Sequence, residues 1–129
     1  EFTVSGTSNG HGVLRTFDSS TEPDSFWEMS TTGTEELIFK LSEPYLIKDY
    51  YLSAGELSTR MPKSIQLFGS TDGVSWLPIG KQVEILFWGL NSSKSFKVQN
   101  AIPYKYYKLR FTSSSKEPTV LRIYEIGFN

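Results

Sequence analysis

The sequence has 129 residues, which is the size of one ordinary domain, and no cysteine, which excludes a disulfide framework, a thiolate zinc site and a cysteine nucleophile. Its 13 basic and 14 acidic side chains give a net charge of −1, so it has no basic field to bind nucleic acid or an anionic membrane through bulk charge. No apolar run approaches the roughly 18 residues of a membrane helix, and the residues from Glu1 onward lack the pattern of a signal peptide.

Five segments alternate apolar and polar residues with the period of two that is typical of half-buried strands. A sixth, Tyr45–Ser53, is a longer mixed run that we also interpret as strand. The pair Asp72-Gly73 predicts a tight turn, because glycine adopts the positive φ that such a turn requires. No helical period persists, so we predict an all-β sandwich or jelly roll. The alternating segments are Glu36–Leu41, Ser64–Ser70, Lys94–Val98, Tyr106–Thr112 and Thr119–Phe128.

The stretch from Arg60 to Trp76 is the most specific motif of the chain. It resembles the pattern Arg-x-Pro-Lys-x-apolar-x-Leu-x-Gly-Ser-x-Asp-Gly-x-x-Trp of the F5/8 type C (discoidin-like) family, which includes carbohydrate-binding module family 32. The opening segment Thr16–Trp27 and the closing strands after Tyr106 are similar to the same family. The resemblance implies a single discoidin-like jelly-roll β-sandwich, galactose-binding-domain-like, across residues 1–129. It also implies that both termini lie at one end and the binding loops at the other.

The resemblance also implies a structural calcium ion. Family members often hold Ca²⁺ with an acid of the opening segment, a hydroxyl before its tryptophan and a glutamate near the C-terminus. Carried over, these residues are Asp18, Ser25 and Glu125, with Asp24 as a substitute inside the loop. Ca²⁺ takes six to eight hard oxygen ligands and accepts such a mixed set.

Glu125 supplies a separate argument for the metal. It follows the alternation of Leu121 and Ile123, which predicts that it points partly inward and needs a counter-charge. The alternative is a plain polar loop in which Glu125 pairs with Arg122, with a lysine or with water.

The resemblance places the Ser53–Met61 loop at the binding end. Its Arg60 can donate a planar fork of hydrogen bonds to sugar hydroxyls, or instead pair with an acid of the chain. Trp88 precedes a glycine and offers a flat apolar face for a pyranose ring, unless it fills the core. The predicted ligand-binding residues are Arg60, Trp88, Glu56, Asn91 and His11.

Two of the three tryptophans are predicted to be buried. We expect Trp27 and Trp76 in the core, where the family packs Trp76.

The acidic residues Asp18, Glu22, Asp24 and Glu28 could provide two carboxylates for glycoside hydrolysis, but nothing in their spacing fixes the separation that this needs. Some galactose-binding family members carry histidine where this chain has Glu28. No nucleophile elbow, phosphate loop or metalloprotease motif is present, so we expect no enzyme activity.

These observations favour a non-catalytic carbohydrate-binding module of a larger secreted, cell-surface or virion protein. Its expected partner is a glycan or polysaccharide, with no nucleic acid and no membrane insertion, and its expected location is extracellular, cell-surface or virion-associated. One alternative is a protein–protein interaction or assembly module on the same fold. Another is phospholipid binding through apolar loop tips at Leu57 and Met61.

Overall fold

The computed structural model of the protein describes residues 2–5, 27–30, 33–53, 60–80, 83–84, 93–99, 101–113 and 119–128. The described elements are β-strands, all paired antiparallel, and none of the described residues forms a helix long and apolar enough to cross a membrane. The strands are β1 Phe2–Ser5, β2 Trp27–Ser30, β3 Thr34–Leu46, β4 Asp49–Ser53, β5 Ser64–Ser70, β6 Leu77–Pro78, β7 Val83–Glu84, β8 Ser93–Lys97, β9 Pro103–Thr112, β10 Val120–Ile123 and β11 Glu125–Phe128.

The larger sheet has the strand order β1-β3-β9-β5-β6, and β7 also pairs with β5. The registers align Leu37 of β3, Leu109 of β9 and Leu67 of β5 in one row across the sheet. All three side chains are fully buried, as the alternation predicts. Successive side chains of a strand point to opposite faces. The leucine row therefore marks the inner face of the sheet, and the residues next to each leucine along its strand lie on the outer face.

A three-stranded sheet with the order β11-β4-β8 contributes the other half of the core. Tyr50 and Leu52 of β4 and Ile126 of β11 are buried in the same apolar cluster as the leucine row of the larger sheet. The rings of Phe39 in β3 and Phe128 in β11 meet edge to face, with centroids 5.1 Å apart. The two sheets therefore pack as a β-sandwich, which confirms the predicted fold class.

The registers give the sandwich two distinct ends. The Arg60 end holds the last residues of β4 and β9 and the first residues of β5 and β11, and Arg60 lies shortly before β5. The opposite end, which we call the Phe128 end, holds the first residue of β1, paired with Leu41, and the last of β11, paired with Tyr50. The described ends of β1 and β11 thus lie together, as the resemblance implies.

The Asp-Gly turn follows β5 and is stabilised by the side chain of Asp72. Its Oδ1 accepts hydrogen bonds from the backbone N–H groups of Val74 (2.8 Å) and Ser75 (2.9 Å) and from the hydroxyl of Ser70 (3.0 Å). Gly73 has a φ of 77°, the left-handed value that favours glycine. The turn is confirmed, although six residues rather than two separate β5 from β6.

Two predicted strands are each divided in the structure. The run Tyr45–Ser53 splits into the end of β3 and the whole of β4, because the chain crosses between the sheets at the short connection 47–48. The run Thr119–Phe128 splits at Tyr124 into β10 and β11, which belong to different sheets. Glu125 therefore does not continue the face of Leu121 and Ile123, contrary to the prediction. It lies on the outer face of the three-stranded sheet, with Ser53 as its register partner.

The prediction that Trp76 fills the core is wrong. Trp76 is half-buried, and Nζ of Lys108 lies 4.7 Å from the centre of its ring. Pro78, two residues later, pairs with Phe68, which points to the outer face of the larger sheet. The alternation therefore places Trp76 on the same outer side. For Trp27 the structure describes the backbone in β2, and its side chain lies outside the described part.

Candidate functional site

Three charged side chains meet at the Arg60 end: Arg60, Glu28 of β2 and Arg122 of β10. Glu28 and Arg122 are register partners, so their side chains lie on the same face of the β2–β10 ribbon. Arg122 donates two hydrogen bonds to Oε1 of Glu28, from Nε at 2.9 Å and from Nη2 at 2.7 Å. Nη1 of Arg60 donates to the same oxygen at 2.6 Å. We call these three residues the Glu28 cluster.

Tyr124 holds Arg122 from its other side. Nη1 of Arg122 donates to the hydroxyl of Tyr124 at 3.1 Å, and its guanidinium carbon lies 5.8 Å from the centre of the ring. Since Tyr124 is buried, its hydroxyl is a fixed point for the arginine. Arg122 is therefore placed to act as a positioning residue that sets the orientation of Glu28, and through Glu28 that of Arg60.

The two arginines determine the charge state of Glu28. Burial raises the pKa of this carboxyl, but hydrogen bonds and charge from Arg122 and Arg60 outweigh burial and hold the pKa below its ordinary value of 4.5. The carboxylate is therefore ionised at neutral pH and can only accept hydrogen bonds. A glycosidase acid needs the opposite shift, so the structure gives Glu28 no role as a proton donor.

The cluster presents a donor and an acceptor side by side. The side chain of Arg60 is 29% exposed, against 15% for Glu28 and 11% for Arg122, which makes Arg60 the most accessible of the three. The three hydrogen bonds described for Glu28 all end on Oε1, and no described residue donates to Oε2. A molecule with adjacent hydroxyl groups can accept from a guanidinium and donate to a carboxylate at such a site.

The structure describes one of the five predicted ligand-binding residues. Arg60 lies at the predicted end and pairs with an acid, which was the alternative interpretation, although that acid is Glu28 in a strand. The other four, Trp88, Glu56, Asn91 and His11, lie outside the described residues. Arg122 was not predicted as part of the site. The signal available for it was its position two residues before Tyr124 in the closing strands.

Of the predicted calcium ligands, the structure describes Glu125. Asp18, Ser25 and Asp24 lie outside the described residues, and the described part of the chain contains no group of three or more His, Cys, Asp or Glu residues that could hold a metal. Glu125 is only 9% exposed, and its Oε2 atom is fully buried. A buried carboxylate oxygen at the Arg60 end has the chemistry of a hard-cation ligand, so this residue fits the predicted role.

One requirement of the phospholipid alternative is not met. Met61 was expected at an apolar loop tip, but its side chain is buried in the core cluster. Met61 lies three residues before the start of β5, and its side chain packs in the core cluster. Leu57 lies outside the described residues.

Comparison with known proteins identifies the fold. No model of a protein family matches this sequence, and no curated protein is similar to it in sequence. Solved structures do match: a pectin-binding carbohydrate-binding module shares 20% identity at a TM-score of 0.76, covering 100% of this chain and 88% of that chain. CBM32-2 of GH31, bound to GalNAc, shares 17% identity at a TM-score of 0.79, covering 99% and 96%.

A third similar structure is the C-terminal domain of a chitobiase from Bacteroides fragilis. It shares 23% identity at a TM-score of 0.75, covering 100% of this chain and 89% of that chain. The protein therefore has the fold of family 32 carbohydrate-binding modules and F5/8 type C domains, which confirms the fold that the Arg60–Trp76 motif implied.

Proposed function

We propose that this protein is a non-catalytic carbohydrate-binding module that binds a glycan or polysaccharide at the Arg60 end. The fold supports this, because similar structures are a pectin-binding module and a module bound to GalNAc. The observation that carries the proposal is the Glu28 cluster, in which an accessible guanidinium and an ionised carboxylate are fixed next to each other.

The cluster recognises the sugar through its hydroxyl groups. Arg60 donates to a hydroxyl oxygen, and Oε2 of Glu28 accepts from a neighbouring hydroxyl. Both bonds are charge-assisted and stronger than bonds between neutral groups. Arg122 keeps the carboxylate in place before the sugar arrives, which reduces the ordering cost of binding. Trp88 is the proposed stacking ring, and Glu56, Asn91 and His11 are proposed as further contacts.

A glycan array, probed with and without calcium, tests the proposal. We expect binding to a restricted set of glycans, and we expect titration calorimetry with the best of them to show about tenfold weaker binding for Glu28→Gln. Glu36→Gln is the matched control, because Glu36 also pairs with two cations but lies on the outer face of the larger sheet. Binding to no glycan in either condition would contradict the proposal and favour a protein-interaction module.

We propose a structural calcium ion as a second component of this end. The buried carboxylate of Glu125 is the described ligand, and Asp18, Ser25 and Asp24 are the proposed partners. Bound calcium would supply the positive charge that stabilises an ionised carboxylate away from water.

We also propose that the module works within a larger secreted, cell-surface or virion protein. A single site that binds one sugar through a few polar groups gives weak affinity. Several sites on one parent protein would raise the overall affinity through effective concentration.

A further inference from the structure

The outer face of the three-stranded sheet carries a half-buried aromatic side chain. Tyr50 and Leu52 point into the core, so the alternation places Tyr51 and Ser53 on the outer face of β4. The register sets Tyr51 between Gly127 of β11 and Ser95 of β8. The tyrosine therefore has no bulky side chain directly beside it on either neighbouring strand.

The ring of Tyr51 lies across the sheet rather than standing upright on it. A methyl group at Gly127 would overlap Cε1 and Cζ of this ring, so the outer edge of the ring covers the glycine backbone. In this position the ring extends from β4 over β11. The half-buried state of Tyr51 agrees with this arrangement.

Three serines are neighbours of Tyr51 on this face, one next along β4 toward the Arg60 end and two on β8. Ser53 donates to Ser93 across the sheet at 3.2 Å, and Ser93 and Ser95 are both exposed on β8. No described residue forms a hydrogen bond with the hydroxyl of Tyr51. The face thus combines a flat apolar surface with several groups that can both donate and accept hydrogen bonds.

The charges on this face determine which ligand fits. Toward the Phe128 end, Asp49 and Lys97 are register partners of opposite sign. Toward the Arg60 end, Glu125 is buried and little exposed to a ligand on the surface. Among the described residues, the exposed part of the face therefore offers no surplus of positive charge for an acidic sugar.

We propose that the Tyr51 face, formed by Tyr51, Gly127, Ser95, Ser53 and Ser93, is a second saccharide-binding site that takes a neutral hexopyranose. The C–H face of the pyranose stacks on the outward side of the Tyr51 ring, as apolar sugar faces do on aromatic surfaces. Its hydroxyls bond to the serines and to the phenol. The site is independent of the Glu28 cluster, and a polysaccharide that engages both would gain affinity through avidity.

Chemical-shift mapping of the full chain tests this site directly. Proton–nitrogen correlation spectra are recorded with galactose, N-acetylgalactosamine, glucose and mannose, each up to about 100 mM because a single stacked ring gives weak affinity. We expect at least one sugar to shift the backbone amides of Tyr51, Ser95 and Gly127 in a saturable way. Shifts at none of these amides with any of the four sugars would overturn the proposal.

Three variants separate loss of binding at this ring from simple misfolding. Tyr51→Ala should abolish the shifts at Ser95 and Gly127, whereas Tyr51→Phe, which keeps the ring over the glycine, should weaken binding a few-fold. The matched control Tyr45→Ala removes another exposed tyrosine, on the larger sheet, and should leave the shifts intact.

The variants also separate this proposal from the proposed function. Arg60→Ala should abolish sugar-induced shifts around the Glu28 cluster and preserve those on the Tyr51 face. If Tyr51→Ala keeps the fold, as judged by its spectrum without sugar, and Ser95 still shifts as in the wild type, the site is refuted. Loss of the Tyr51-face shifts in Arg60→Ala alone would likewise refute an independent second site.

Discussion

Two carboxylates of this protein each hold two cations, but in different surroundings. Glu28 binds Arg60 and Arg122 at one end of the sandwich, where the side chain of Arg60 reaches solvent. Glu36 binds Lys108 (3.3 Å) and Arg110 (3.0 Å) through Oε2 on the outer face of the larger sheet. In both clusters the cations hold the pKa of the glutamate below its ordinary value, against the effect of burial.

The two clusters differ in their position in the fold. On the outer face, Lys108 lies between the rings of Phe68 (4.9 Å) and Trp76 (4.7 Å), and Arg110 stacks on Phe68 at 4.7 Å. These rings cover Lys108, whose side chain is 9% exposed, and one face of Arg110, whose side chain is still 44% exposed. At the Glu28 cluster the arginine-to-ring contact described is that of Arg122 with Tyr124. The Glu36 cluster therefore lies on the outer face of a sheet beside two aromatic rings, and the Glu28 cluster lies at the end of the sandwich where we propose that sugar binds.

The largest expected effect is on stability, from Phe68→Ala. This ring is buried and supports both cations of the Glu36 cluster, so its loss should lower the free energy of unfolding by about 3–4 kcal/mol. Urea unfolding measures the change, and calorimetry on the folded variant should show unchanged sugar affinity. A stability loss below about 1 kcal/mol would show that the rings do not maintain this face.

We expect calcium to stabilise the protein through Glu125 at the Arg60 end. If Glu125 binds calcium in the native state, a hundredfold excess of the ion over its dissociation constant should stabilise the protein by about 2.7 kcal/mol. Thermal melts in EDTA and in excess calcium test this, with Glu125→Gln as the variant that loses the response and Glu36→Gln as the one that keeps it. Identical melts of the wild type in both conditions would exclude the ion.

Arg122→Ala should affect both stability and binding. It removes two of the three hydrogen bonds to Glu28, which we expect to cost about 2 kcal/mol of folding free energy and about tenfold in sugar affinity. Arg110→Ala removes the 44%-exposed partner of Glu36. It should lower the folding free energy by less than about 1 kcal/mol and leave sugar affinity unchanged. Equal effects of the two variants on affinity would show that Arg122 does not position the site.

The smallest effect concerns pH. A carboxyl whose pKa is lowered by folding contributes stability above its unfolded value of 4.5, and the contribution disappears as pH falls through the lower folded value. In Glu28→Gln the free energy of unfolding should therefore fall less steeply below pH 4.5 than in the wild type, in both low and high salt. Glu36→Gln should do so only in low salt, because Glu36 is 38% exposed and screened by ions. An identical salt response in the two variants would remove the distinction between the clusters.

The strands that alternate cleanly were predictable, and the residues that cover them were not. β5 was predicted with its observed bounds, because Ile65 and Leu67 alternate with polar neighbours and the Asp-Gly turn marks its end. The alternation of Tyr106–Thr112 puts Lys108 on the outer side of β9, where the structure has it, but the period of two says nothing of the rings that bury it. The connection 47–48 carries neither glycine nor proline, so nothing marked the crossing between sheets.

The candidate site was predictable only as a position along the chain. The resemblance implied that Arg60 lies at the end of the sandwich opposite the described ends of β1 and β11, and the registers place it there. Its partner Glu28 lies 32 residues away, and Arg122 lies 94 residues from Glu28. Contacts at such separations depend on which strands pair, and a single sequence gives no direct signal of that pairing.

We propose that Arg60, unlike the similarly paired Arg110, binds sugar. Titration calorimetry with the best glycan from the array compares Arg60→Ala and Arg110→Ala, each checked by a melting curve. We expect Arg60→Ala to lose about 1–3 kcal/mol of binding free energy, as a central anchor does, with less than about 1 kcal/mol lost in stability. Arg110→Ala should bind as the wild type does. Wild-type affinity in a folded Arg60→Ala variant would show that Arg60 does not bind the sugar.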